Sequence, residues 1–175
     1  MDIKRVFLVG FMGSGKSTLG RRLKHEMGWN FLDLDDVFED KFQTSIKQYF
    51  ADYGEESFRQ AEKECLEDVI HQENLIIATG GGTPCFFDNM DVMNENGLTI
   101  YLKLSIETLI SRLNSGKNVR PLVANKSGDE LYQFIKEKLE EREFFYNQSK
   151  VIADAEVLGV EAFVNIIKAS GDLSV

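Results

Sequence analysis

Residues 10 to 18 read Gly-Phe-Met-Gly-Ser-Gly-Lys-Ser-Thr and follow directly on the apolar run Val6-Phe7-Leu8-Val9. The pattern Gly-x-x-x-x-Gly-Lys-[Ser/Thr], set between a buried strand and a helix that begins near Gly15, commits the chain to a strand–loop–helix unit. The glycines permit backbone conformations that turn several N–H groups into one concavity. The positive end of the following helix faces the same space, so the natural occupant is phosphate. Lys16 has the reach to bridge the β- and γ-phosphates of a nucleoside triphosphate, and the Ser17 hydroxyl is the expected ligand of the accompanying Mg²⁺.

The rest of the chain supplies a sheet for this unit. Apolar runs suited to buried strands occur at 5–10, about 30–34, 74–79, 98–104 and 151–154. Helical patterns fill 16–27, 36–42, 45–52, 55–72, 87–95, 105–113, 129–147 and 159–170. Strands alternating with helices predict a parallel sheet covered on both faces, in one domain of 175 residues without linker or repeat. Ligands of such sheets bind at the carboxyl ends of the strands, so features at strand ends belong near the phosphate loop.

Two strand-end features meet that condition. Asp33-Leu34-Asp35-Asp36 ends the second apolar run. In an extended segment Asp33 and Asp35 point to the same side, where one carboxylate can assist Mg²⁺ through water and the other can accept a substrate proton. The competing role is a helix cap by Asp35 or Asp36, and Asp36 is assigned to it. Thr79-Gly80-Gly81-Gly82-Thr83-Pro84 follows Leu75-Ile76-Ile77-Ala78. Three consecutive glycines are conformationally costly, and at a central strand end they suggest close approach of a ligand to the main chain; a plain turn is the alternative.

Arginines describe the acceptor. Phe58, Cys65, Leu66, Val69 and Ile70 form an apolar arc on the helix at 55–72, and Arg59 and Glu62 fall inside it. Leu131, Ile135 and Leu139 mark the inner face of the helix at 129–147, and Arg142 continues it seven residues after Ile135. Guanidinium groups aimed inward must find anions. Glu62 can orient Arg59 while further donors face a ligand carboxylate; no acidic partner for Arg142 is evident on its face. The polar stretch from Asn114 to about Ser127, with Arg120 fixed in direction by Pro121, suits an active-site lid carrying a charge to the transferring phosphoryl group; a solvated basic loop is the alternative.

Charge and composition exclude several classes. A net charge of −9 and an isoelectric point of about 4.8 argue against nucleic acid or anionic membranes as partners. No apolar stretch approaches the roughly 20 residues needed to span a bilayer. The apolar segment near the N-terminus is short and runs into the phosphate loop, so no signal peptide is expected. Cys65 and Cys85 have no metal spacing and suit a reducing cytoplasm; His25 and His71 read as ordinary helix residues.

Together these motifs, with Phe58-Arg59 and Arg120-Pro121-Leu122, resemble the shikimate kinases in order and approximate spacing from residue 5 to about 155. The resemblance implies an α/β P-loop NTPase fold of the nucleoside-monophosphate-kinase type, a five-stranded parallel sheet in order 2-3-1-4-5, a substrate-binding region at about 33–61 and a lid at about 114–127. It implies Mg²⁺-assisted transfer of a phosphoryl group from ATP to shikimate, in the route to chorismate and aromatic amino acids, by a cytoplasmic monomer. Gly13, Ser14, Gly15, Lys16, Ser17, Thr18 and Arg120 would bind ATP, with Ser17 on the metal and Asp33 assisting through water. Asp35, Lys16 and Arg120 would be catalytic. Asp35, Arg59, Gly80, Gly81, Gly82 and Arg142 would hold shikimate, and Ile46 and Phe50 would wall its ring. Some members carry an arginine where this chain has Leu113; the adjacent Arg112 is not assigned. The alternatives are another small-molecule P-loop kinase, such as a gluconate kinase, and a nucleotide-dependent switch ATPase.

Overall fold

The apolar strands place their ends in one row. In the computed structural model, which describes residues 3–115, 126 and 128–172, five strands form a single parallel sheet. They are β1 (Arg5–Val9), β2 (Asn30–Asp33), β3 (Leu75–Ala78), β4 (Leu98–Lys103) and β5 (Val151–Asp154), in the order β2-β3-β1-β4-β5. The expected order is therefore the observed one. Register aligns Asp33 with Ala78, Leu8 with Ala78, Val9 with Tyr101 and Lys103 with Asp154. The carboxyl ends of all five strands thus open on the same edge. β3 is buried throughout and β1 from Val6 to Val9, as a sheet covered on both faces requires.

Seven helices cover the sheet among the described residues: α1 (Lys16–Met27), α2 (Leu34–Phe42), α3 (Ile46–Val69), α4 (Asn89–Asn96), α5 (Ile106–Ser115), α6 (Gly128–Tyr146) and α7 (Val160–Asp172). Phe7, Val9, Leu75 and Ile77 pack on one face with Leu131, Ile135 and Leu139 of α6; Val6, Leu8, Ile76 and Ile100 pack on the other with Phe163 and Ile167 of α7. The strand period of two sends neighbours to opposite layers, which is why one short strand builds both cores. A third cluster, Phe38, Phe58, Ala61 and Cys65, joins α2 to α3.

The two helices expected at 45–52 and 55–72 meet at Gly54, whose φ of 79° and ψ of 178° break the helix inside α3. None of the described helices is long and apolar enough to cross a membrane. Cys65 and Cys85 are both free thiols.

Candidate active site

The phosphate loop leaves β1 at Gly10 and enters α1 at Lys16. Gly10, Gly13 and Gly15 have φ of 149°, 81° and 94°, a region where a side chain would be strained. α1 has Gly15 as its N-cap, no side-chain cap and no acidic residue in its first turn. Its first N–H groups and the positive end of its dipole are left for an anion. Lys16 is buried, and its Nζ donates to the carbonyls of Gly10 and Phe11 at 2.8 and 2.9 Å, across the mouth of the loop. Ser14 Oγ is buried without a hydrogen-bond partner among the described residues; a bound phosphate would supply the missing acceptor.

A cavity of about 1130 Å³ opens over this loop, walled by residues 12–18, Asp33, Asp35, Thr79, Gly80 and Gly81, and at its far end by Arg112, Ala155 and Glu156. The described ATP-binding and acidic candidates therefore share one space.

The acidic pair is built differently from the extended-strand expectation. β2 ends at Asp33, which is the N-cap of α2 and accepts a hydrogen bond from the Asp35 N–H at 3.1 Å. Asp35 and Asp36 occupy the first helical turn, so alternation along a strand does not bring Asp33 and Asp35 together; a cap does. The cap is Asp33 rather than Asp35 or Asp36. The same carboxylate accepts a hydrogen bond from Ser17 Oγ, which ties the start of α2 to the phosphate loop. Burial and the neighbouring Asp33 push the Asp36 carboxyl up, with Arg21 opposing them.

The glycine triplet is favoured by crowding. Positive φ occurs at none of Gly80, Gly81 and Gly82, so the conformational argument does not account for it. A Cβ on Gly80 would lie 2.8 Å from Glu62 Oε1 and from Thr83 Oγ1, and one on Gly82 would lie 2.7 Å from Arg59 Nη1. A Cβ on Gly81 would sit 3.3 Å from Arg142 Nη1 and 3.5 Å from the Met12 nitrogen. Both arginines therefore converge on adjacent glycines, beside the first residues of the phosphate loop.

Their supports differ. Arg59 Nη1 donates to Glu62 Oε2 at 2.9 Å, and the guanidinium lies 4.1 Å from the Phe86 ring centroid. Glu62 is itself buried and accepts from Thr83 Oγ1 at 2.6 Å. Arg59 Nε is buried and finds no partner among the described residues. Arg142 stands 5.6 Å over the Phe11 ring, and no carboxylate among the described residues pairs with it. A cation held this way attracts an anionic ligand group.

Other candidates sit further out. Ile46 packs on the Phe38 cluster. Phe50 is 39% exposed and lies 5.5 Å from the Phe58 ring. Neither lines the cavity over the phosphate loop, so both relate to the site through Phe58, the chain neighbour of Arg59. Arg120 and nearly all of the expected lid at 114–127 lie outside the described residues. Three residues passed over in the sequence belong to the site's surroundings. Thr83 fixes Glu62, Tyr146 donates to the Gly81 carbonyl at 2.5 Å, and Arg112 Nη1 donates to the Ser14 carbonyl at 3.0 Å. Leu113 lies against Gly13. Only Arg112 carried a signal, as a cation in the last turn of α5.

The sheet order and phosphate loop, with an acidic cap and two convergent arginines at one strand edge, define a P-loop kinase of the nucleoside-monophosphate-kinase type. A family description, "Shikimate kinase", matches residues 12–169. The shikimate kinase of Parabacteroides distasonis is 47% identical over 165 residues, covering 94% of this chain and 95% of that protein. The crystal structure of shikimate kinase from Bacteroides thetaiotaomicron superposes with a TM-score of 0.91 at 38% identity, covering 98% and 99% of the two chains. That of Acinetobacter baumannii shikimate kinase in complex with shikimate gives 0.84 at 29% identity, covering 96% and 94%. The chain belongs to the shikimate kinase family.

Proposed function

We propose that this chain transfers the γ-phosphoryl group of ATP to shikimate, giving shikimate 3-phosphate and ADP. One observation carries the reading: Arg59 and Arg142 press on adjacent glycines at the strand edge that also holds Asp35 and the phosphate loop. A small hydroxylated carboxylic acid meets both demands of that arrangement, since its carboxylate pairs with the guanidiniums while a hydroxyl faces the phosphates.

The first N–H groups of α1 and the Lys16 ammonium hold the β- and γ-phosphates. Asp35 accepts the proton of the attacking hydroxyl as the new O–P bond forms and the bond to the ADP oxygen breaks. Arg120, assigned on sequence grounds, neutralises charge on the transferring group, and the region at about 33–61 carries the acceptor within a single domain. The Ser17 hydroxyl hydrogen-bonded to the Asp33 carboxylate is a hard-oxygen pair that fits Mg²⁺. Among the described residues no cluster of three metal-binding side chains exists, which suits an ion that arrives with ATP and keeps part of its hydration. When bound, Mg²⁺ supplies charge neutralisation on the phosphate oxygens.

The test is a binding titration with shikimate and with its methyl ester, which masks the carboxylate. The acid binds and the ester loses at least about tenfold in affinity, the scale of a charge-assisted pair. Equal affinities contradict the role given to Arg59 and Arg142.

A further inference from the structure

The two guanidiniums proposed to pair with the acceptor carboxylate lie against Gly81 and Gly82, and a side chain outside the triplet holds that backbone still. Tyr146, the last residue of α6, is fully buried one turn beyond Arg142, and its hydroxyl donates to the carbonyl oxygen of Gly81 at 2.5 Å. Its ring lies 5.1 Å from that of Tyr101, whose own hydroxyl donates to Glu143 at 3.2 Å. A buried phenol needs a polar partner, and this one donates to the triplet while the Arg142 guanidinium of its own helix also interacts with it.

The consequence falls on the next N–H. In a trans peptide the N–H of Gly82 is antiparallel to the Gly81 carbonyl, so capturing the carbonyl sets the direction of the N–H. Among the described residues neither the Gly81 nor the Gly82 N–H donates to any acceptor, although the flanking turn is closed by Thr83 N–H to Gly80 O and Cys85 N–H to Gly82 O. Glycine offers no side chain to restrain these two peptides. Tyr146 supplies the restraint, and because it shares a helix with Arg142 it fixes the donors and the guanidinium in one frame. Burial pushes the phenol's pKa well up, which keeps the donor proton in place across the neutral range.

We propose that Tyr146 is a positioning residue for the acceptor: it holds the Gly81–Gly82 peptide so that its N–H, which finds no acceptor among the described residues, is preorganised together with Arg142 for the carboxylate of the acid. This rests on the acceptor reading above.

Tyr146→Phe keeps the ring and removes only the hydroxyl. The expected result is a KM for shikimate raised about tenfold with the KM for ATP unchanged within about twofold, the size of one lost hydrogen bond. Shikimate-induced thermal stabilisation gives a second readout that works even if the variant melts earlier: the shift produced by shikimate is lost while that produced by MgATP persists. A KM for shikimate that does not move, or shikimate and nucleotide effects that fall together, overturns the inference. If the wild-type protein itself shows no shikimate-induced shift, the acceptor reading fails and takes this inference with it; a shift present in wild type and intact in Tyr146→Phe overturns the inference alone.

Discussion

Asp35 shows how one side chain acquires a role from its neighbours. The N–H of Asp35 is tied to the Asp33 cap, and its carboxylate lines the cavity over the phosphate loop, with Oδ1 3.4 Å from where a Cβ on Gly80 would sit. Asp35→Asn keeps the shape and the backbone tie but removes the proton acceptor. Steady-state kinetics on this variant should show turnover lowered about 10²- to 10⁴-fold with nucleotide binding retained; full turnover would remove Asp35 from the mechanism. At this scale the sequence was most readable where polarity and pattern disagree. Arg59 and Arg142 stand out because a cation at helical spacing on an apolar face must have an anion waiting. Tyr146 does not stand out, since a tyrosine on that face reads as one more core aromatic, and only its hydroxyl partner reveals otherwise. Thr83 is hidden for the same reason, its hydroxyl being spent on a buried glutamate that lies 21 positions away in the chain.

At the scale of elements, the two helices that open onto the site begin in opposite ways. α1 starts on glycine without acid or side-chain cap, and α2 starts on the Asp33 cap with Asp35 and Asp36 in its first turn. The first leaves its positive end for phosphate; the second spends that end on its own carboxylates. Asp33 serves both helices, since it caps α2 and accepts from Ser17 of α1. Two substitutions separate those duties. Asp33→Asn retains a good cap, so urea unfolding should show a loss under about 0.5 kcal/mol while the Mg²⁺ concentration for half-maximal turnover rises. Asp33→Ala should show the same metal effect and lose about 1 kcal/mol more stability. An unchanged Mg²⁺ requirement in both would confine Asp33 to capping. The strand–loop–helix unit was legible because its glycines and apolar run are local signals. The acidic segment was misread as extended because a cap at the strand's last residue and the helix that follows look alike in sequence to two more residues of strand.

Across the whole molecule the parallel register does the assembling: Asp33, Thr79 and Gly10 are far apart in sequence yet end or follow strands whose last residues lie within one position of register. That convergence was foreseeable from alternating strands and helices, because a parallel sheet puts all its carboxyl ends on one edge. What alternation could not supply is the packing between layers that brings α6 to the glycine triplet. The molecule carries a net charge of −9, and around the cavity Lys16, Arg21, Arg22 and Arg112 are balanced by Asp33, Asp35, Asp36 and Glu156. The cations beside the phosphate loop can pair with a small polyanion, while the acidic surface as a whole repels nucleic acid. The decisive question is therefore which acceptor receives the phosphoryl group. A coupled assay of ADP release, run with MgATP and a panel of shikimate, gluconate, nucleoside monophosphates and water alone, reads this directly. Rapid ADP release with shikimate and background rates with the others are the expected result; comparable release with water alone, or faster release with gluconate or a nucleoside monophosphate, would contradict phosphoryl transfer to shikimate.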